Sequence, residues 1–325
     1  MTPVIQRVRA TRDPGFVAVL GPPRPLSFTR GAQPELDLPA HARAASAIRR
    51  VAGRLVIVQD DVNALVFDDS ETGTWAVPLS AGPGGARTFD DQRGNKHAKL
   101  DLEACAALPD GRLVAFGSGS SRARERLIVF RPEGEHRVVD GTELYAHLRA
   151  RTEFAGSELN LEGAVVVRGA LRIFQRGNGA PQADLLPVDA TGDIDLRAFV
   201  EWLDGRGPHP VLERIVQYQL GDVAGVRLTF TDAARAGETG VTFLACAEAS
   251  PDAVRDGEAM GSVVGFIEGD RARTVSILDA EGRASRSKLE GIEPAPGSPD
   301  EFDVVADMDR PDEPATLYRL RIQPV

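Results

Sequence analysis

A Leu-Glu pair followed by Gly or Ala opens a β-like run three times in this chain, at Asp101-Leu102-Glu103-Ala104, Asn160-Leu161-Glu162-Gly163 and Lys288-Leu289-Glu290-Gly291. Each copy leads into a short apolar strand, a turn with Gly or Pro, a second strand and a third ending in an aromatic or aliphatic pair. A unit of this kind cannot bury both faces alone and must stack on its neighbours, which is how a blade of a β-propeller reads. The predicted fold is therefore all-β.

Five modules follow, over about 45–80, 101–140, 158–220, 225–279 and 288–322. Module two is the clearest, with Pro109-Asp110-Gly111 supplying a hairpin turn between Leu102–Leu108 and Leu113–Gly117. In module three, Asp184–Val188 is read as the third strand, Leu196–Leu203 as a helix inserted in a loop and Glu213–Leu220 as the fourth strand. Module five has three strands and needs another. Propellers commonly remove their exposed edges by pairing strands from the two chain ends, and Val4–Val8 is the expected donor. Phe16–Leu20 and Pro25–Thr29 then remain for a degenerate sixth blade or a decoration. Five blades are favoured over six, in one domain spanning residues 1–325.

The chain has 325 residues and a net charge of −10, which argues against binding to a phosphate backbone. No apolar run approaches the roughly 20 residues needed to span a bilayer, and Met1–Asp13 lacks the apolar segment of a secretory signal. The expected location is the cytoplasm, with no membrane or nucleic-acid partner; a protein partner is not defined. Cys105 and Cys246 lie in separate apolar segments and read as small buried residues. Among 38 basic residues only Lys96, Lys99 and Lys288 are lysine, and two of these just precede Leu-Glu pairs.

The innermost strand of a blade lines the central channel, and alternate residues share a face. Aligning Thr231-Asp232-Ala233 and Ala45-Ser46-Ala47 with the Leu-Glu-Gly/Ala copies gives an expected ring of Ser46, Glu103, Glu162, Asp232 and Glu290. Converging carboxylates repel and raise one another's pKa unless a cation neutralises them. Hard oxygen ligands suit calcium or magnesium; Lys99, Arg176 and Lys288 are the alternative neutralisers. A second ring is expected at the ends of the second strands: Asp60-Asp61, Gly117–Ser120, Arg176–Gly179 with Asn178, Glu248 and Asp307. The two rings form the expected site at the channel mouth. The bland reading is that the Glu residues only accept backbone hydrogen bonds and fix turns.

Other motifs carry less. Gly117-Ser118-Gly119-Ser120 lacks the ending of a phosphate loop. Asp252, Asp256 and Glu258, and Asp307, Asp309 and Asp312, do not have EF-hand spacing and read as solvated acidic loops. Of the five histidines only His97 lies near a repeat, where it can be a general base beside Glu103.

With the repeats, Leu108-Pro-Asp-Gly-Arg-Leu113, Phe230-Thr-Asp-Ala233 and Ala247-Glu248 in view, the chain over about 45–322 resembles a bacterial propeller family known mainly as a domain of unknown function. It is more distantly similar to phytase-like (esterase-like) propellers, whose blades also open with Asp-Leu-Glu-Gly. Calcium-dependent lactonase and phosphatase propellers place channel-end carboxylates and amides on metal, which the resemblance carries to Glu103, Asn160, Glu162, Asp232 and Glu290; Ser46 departs from the pattern. The implied activity is a metal-dependent hydrolase of a phosphoester, lactone or ester, with Glu103, Glu162 and Glu290 at the reacting centre and His97 or Glu248 as base. The alternative is a non-catalytic propeller holding a small anion, or a protein, through Lys99, Arg176, Asn178 and Lys288.

Overall fold

The computed structural model describes residues 5–249 and 257–325. The expected strands form antiparallel modules whose members pair in chain order: Ala45–Val51 through Gly73–Pro78, Leu102–Ala107 through His136–Asp140, and Leu161–Val167 through Leu212–Gln219. Val226–Ala236 through Arg271–Leu278 and Lys288–Pro294 through Thr316–Pro324 follow. The first strand of each module packs beside that of the next, and Lys288–Pro294 packs back on Ala45–Val51. Apolar clusters fill the spaces between consecutive modules. Phe230, Phe243, Phe174 and Tyr218 lie between modules three and four, and Ile48, Ile57, Val305 and Leu317 between five and one. The fold is all-β and β-propeller-like.

Each first strand carries a register shift against its second strand, and the shift skips one residue: Ser46, Glu103, Glu162, Thr231 and Glu290. These are β-bulges, which turn a side chain out of the regular alternation at a rim. The repeat is thereby explained: the glutamate occupies the bulge, and the small residue after it allows close approach of the next module. A Cβ on Gly163 would meet Ala233 N at 3.2 Å, and one on Gly291 would meet Ile48 Cγ2 at 2.9 Å.

Two expectations change. The strand that joins the C-terminal module is Phe16–Leu20, antiparallel to Thr316–Pro324 and touching Arg271–Leu278 in parallel. The segment expected there, represented by Gln6–Arg9, runs parallel to Leu212–Gln219 of module three instead; Val4 lies outside the described residues. Burial decides between them: Ala18 and Leu20 are buried, whereas Gln6–Arg9 places one buried residue, Val8, among polar ones. Pro25–Thr29, expected in a degenerate blade or as a decoration on the closing one, is a decoration: its first residue, with Arg24, pairs with Thr316 and Leu317 of the last module. The third strand of module three is Asp189–Asp195, not Asp184–Val188. Its Thr191-Gly192-Asp193 core looks turn-like, yet it is strand, and Gly192 lets Leu212 pack close, since a Cβ there would lie 2.5 Å from Leu212 Cδ2. The helix Leu196–Leu203 forms as expected, while Thr142–Ala150, which buries Leu144, Tyr145 and Leu148, is an additional helix.

The N-terminal segment thus follows the outer edges of three modules, with Thr11–Arg12 parallel to Arg273–Thr274 between the two longer contacts. Truncation to begin at Gly21 is expected to expose strand edges and lower the melting temperature by roughly 10 °C or more. Size-exclusion chromatography should show aggregation, and an unchanged melt would show the segment to be dispensable.

Candidate functional site at the mouth of the inner strands

At the end of the inner strands where the bulges lie, a cavity of about 360 Å³ opens. Arg49 is buried and does not line it. Its guanidinium forms a bidentate pair with Asp232, both N···O distances 2.9 Å, and donates to Ala164 O at 2.8 Å, Ile292 O at 3.3 Å and the carbonyls of Ile48 and Ala233. Asp232 also accepts from Ile292 N at 3.0 Å and is fully buried. Asp232 is therefore a structural anchor and not a cavity residue. Its place in the ring belongs to Thr231, because the bulge, rather than residue type, sets which side chain turns out. Thr231 Oγ1 donates to Leu289 O at 2.8 Å and Ser46 Oγ to Leu102 O at 2.5 Å. In each case the hydroxyl ties its module to the residue before the next glutamate.

The cavity wall holds three charged groups. Lys99 Nζ lies 2.5 Å from Asp60 Oδ2 and 2.6 Å from Asp101 Oδ1. Asp101 has a positive φ of 55°; it is further held by Arg124 Nη1 at 2.9 Å and by Ser118 Oγ. Glu103 stands beside this group. Burial, then the charges of Asp101, Asp60 and Glu162, push its carboxyl well above the usual range against the pull of Lys99.

In the second group, Asn160 Nδ2 donates to Glu162 Oε1 at 2.8 Å and to Asn178 Oδ1 at 3.2 Å. Arg176 bridges Glu162 at 3.3 Å and Glu248 at 2.6 Å, and Glu248 also accepts from Gly257 N at 2.6 Å. Burial raises Glu162 to about 7, although Arg176 and Lys288 favour its ionised form. In the third, Lys288 Nζ lies 2.8 Å from Asp309, 3.6 Å from Glu290 and 3.8 Å from Asp307. Glu290 is raised well above the usual carboxylate range, first by burial.

The structure thus brings Glu103, Glu162, Glu290, Glu248, Lys99, Arg176, Asn160, Asn178 and Lys288 to one cavity. His97 is exposed in the short helical turn Lys96–Ala98 and does not line it, so geometry gives it no part as base. The expected five-residue metal set does not converge, since Asp232 is bound to Arg49. A different trio does. Asp60, Asp101 and Glu103 offer oxygens within 4.8 Å of one another, a group able to hold a metal ion. Asp61, expected in the second ring, lines the wall, and Arg43 and Asp90 form a further part of it that the repeats did not mark, because both lie outside the strands of module one. Of the acidic loops, Asp252 and Asp256 lie outside the described residues, Asp309 pairs with Lys288, and Asp312 is exposed beside Arg310.

A β-propeller-like protein with a charged mouth cavity is the class that fold and site define. The chain belongs to a family of unknown function, DUF6929, which matches residues 41–322. No curated protein matches it. Solved structures similar to it include a gluconolactonase, XC5397 from Xanthomonas campestris, 12% identical, covering 94% of this chain and 97% of that one with a TM-score of 0.41. A luciferin-regenerating enzyme is 12% identical, covering 86% and 78% with a TM-score of 0.40. Virginiamycin B lyase from Staphylococcus aureus is 10% identical, covering 85% and 66% with a TM-score of 0.37. Likeness at this level carries nothing about the reaction.

Proposed function

We propose that this protein is a single-domain five-bladed propeller, joined end to end by Phe16–Leu20, and that its mouth cavity hydrolyses an ester, lactone or phosphoester by proton transfer between carboxyl groups. The observation that carries the reading is Glu162: a carboxylate held near neutrality by burial, yet fixed in orientation by Asn160 and Arg176 and facing a cavity. For an ester or lactone, Glu162 takes a proton from water as the hydroxide adds to the carbonyl carbon. Glu103, whose surroundings favour the protonated form, gives its proton to the departing alkoxide. The products are a carboxylic acid and an alcohol, and a proton passing from Glu162 back to Glu103 resets the site. Glu248 and Glu290 set the charge around Arg176 and Lys288.

The oxygen donors of Asp60, Asp101 and Glu103 suit calcium by type. Lys99 already provides a cation 2.5–2.6 Å from two of them, and on this reading it takes the place that calcium would fill. Excess chelator is therefore expected to change the melting temperature by no more than about 1 °C, less than the shift of a ~1 kcal/mol effect in a domain of this size. Stoichiometric calcium by elemental mass spectrometry, with a chelator-induced drop of several degrees, would move the site to metal-dependent hydrolysis. A small anion is not favoured as ligand, because Lys99, Arg176 and Lys288 each lie against carboxylates. The two free, buried cysteines fit a reducing compartment, and the cytoplasm is the proposed location. Screening the purified chain against ester, lactone and phosphoester panels tests the reading; ligand binding with no turnover of any panel would leave the non-catalytic propeller.

A further inference from the structure

Asn178 follows Arg176-Gly177 beyond the end of Ala170–Gln175 and lines the mouth cavity. Its Oδ1 accepts from Asn160 Nδ2 at 3.2 Å, while its own Nδ2 donates to no group of the protein. Asn178 is half-buried, and that nitrogen is not among the unpartnered atoms closed to water. The cavity therefore has an amide donor that substrate can reach.

Glu162 decides which end of the amide is which. An ionised carboxylate only accepts, so Asn160 must turn Nδ2 toward Glu162 Oε1, 2.8 Å away. The same nitrogen gives its second hydrogen to Asn178, which must then present Oδ1 and keep Nδ2 as donor. Asn160 is itself clamped: its N donates to Gln175 Oε1 at 2.8 Å and its carbonyl accepts from Arg176 N at 2.9 Å. The other side-chain donors on the wall differ from this one. Lys99, Arg176 and Lys288 lie 2.5–2.8 Å from carboxylate oxygens, and Arg43 and Arg124 lie 2.9 Å from theirs. Each would have to leave a carboxylate to serve a substrate. Lys96 pairs with Asp91, and Gln92 and Arg310 are exposed.

When hydroxide adds to the carbonyl carbon of an ester or lactone, the π pair moves onto the carbonyl oxygen. That oxyanion is stabilised best by a donor already oriented and not already matched to an anion. We infer that Asn178 Nδ2 donates to the oxyanion of the tetrahedral intermediate, a role that rests on the hydrolase reading. Asn178 gives up no proton: the pair returns to re-form C=O as the bond to the alkoxide breaks, and the alkoxide takes the proton of Glu103. Base and oxyanion donor are then two ends of one relay, Glu162 orienting Asn160 and Asn160 orienting Asn178.

The test is steady-state kinetics of the full chain across pH, on the ester or lactone that the wild type turns over fastest. Asn178→Ala should lower kcat by about 10²–10³, the usual effect of removing one oxyanion donor, with KM within about threefold because the interaction belongs to the transition state. The acid side of its pH profile should keep its midpoint at about 7, since Glu162 is unchanged. Asn178→Asp keeps an acceptor for Asn160 and offers no donor when ionised; it should lose at least as much, and it decides the matter if Asn178→Ala does not fold by circular dichroism. Wild-type kcat in either folded variant, with Glu162→Gln inactive, would overturn the inference and leave the hydrolase reading standing. A loss in Asn178→Ala that comes with a displaced acid midpoint would also overturn it, because Asn178 would then act through Glu162. A wild type that hydrolyses no ester or lactone removes the oxyanion and the inference with it, and one that hydrolyses no phosphoester either removes the hydrolase reading as well.

Discussion

Replacing Glu162 by glutamine is expected to lower kcat/KM on the best substrate of the hydrolase panels by about 10²–10⁴, the usual contribution of a general base. The amide keeps the shape of the side chain, but it cannot accept a proton. The wild-type pH profile should show the same group: the base is active only when ionised, so kcat/KM should rise tenfold per pH unit below about 7, and it should fall again at higher pH once Glu103, the acid, loses its proton. Stability should move the opposite way. Burial holds Glu162 above the unfolded carboxyl value, so the folded chain binds this proton more tightly than the unfolded one, and the group's contribution is largest at low pH and declines through about 7. The variant cannot ionise, and at pH 8 it should melt no lower than wild type. Activity retained in Glu162→Gln would sink the acid–base reading, whereas loss of activity with an equally large loss of melting temperature would mark a structural role.

Among single substitutions, Arg49→Met is expected to produce the largest loss of stability. It would leave Asp232 without its guanidinium partner at a site with no solvent access, and removing one member of a buried pair costs about 3–5 kcal/mol. Backbone carbonyls from four modules would lose a donor at the same time. A fall in melting temperature of about 5–10 °C is expected for that cost in a chain of this length. Arg49→Met with Asp232→Leu should recover much of it, because both charges of the pair are then removed together. If the single variant melts as wild type does, Arg49 does not brace the inner strands. Cavity ligands should bind that double variant normally, since neither residue lines the cavity.

The sequence by itself carried the repeated unit, its strands and the polar character of one end of the inner strands. Alternation of apolar residues, hairpin turns and the recurring Leu-Glu-Gly are local patterns, and local patterns follow from covalent order. Glu103, Glu162 and Glu290 were legible because each occupies the same position in a copy of one motif. What tertiary structure decided were matters of register and partner. The bulge in Val226–Ala236 places Thr231 in the ring and sends Asp232 to Arg49, a residue 183 positions away in the chain. The choice of Phe16–Leu20 over the more N-terminal strand depended on which segment could bury Ala18 and Leu20 between two distant modules. The state of the carboxylates depended on Lys99, Arg176 and Lys288 reaching across to oxygens contributed by other strands and loops. A Coulomb interaction depends on distance and burial, and both are fixed only when the modules pack together.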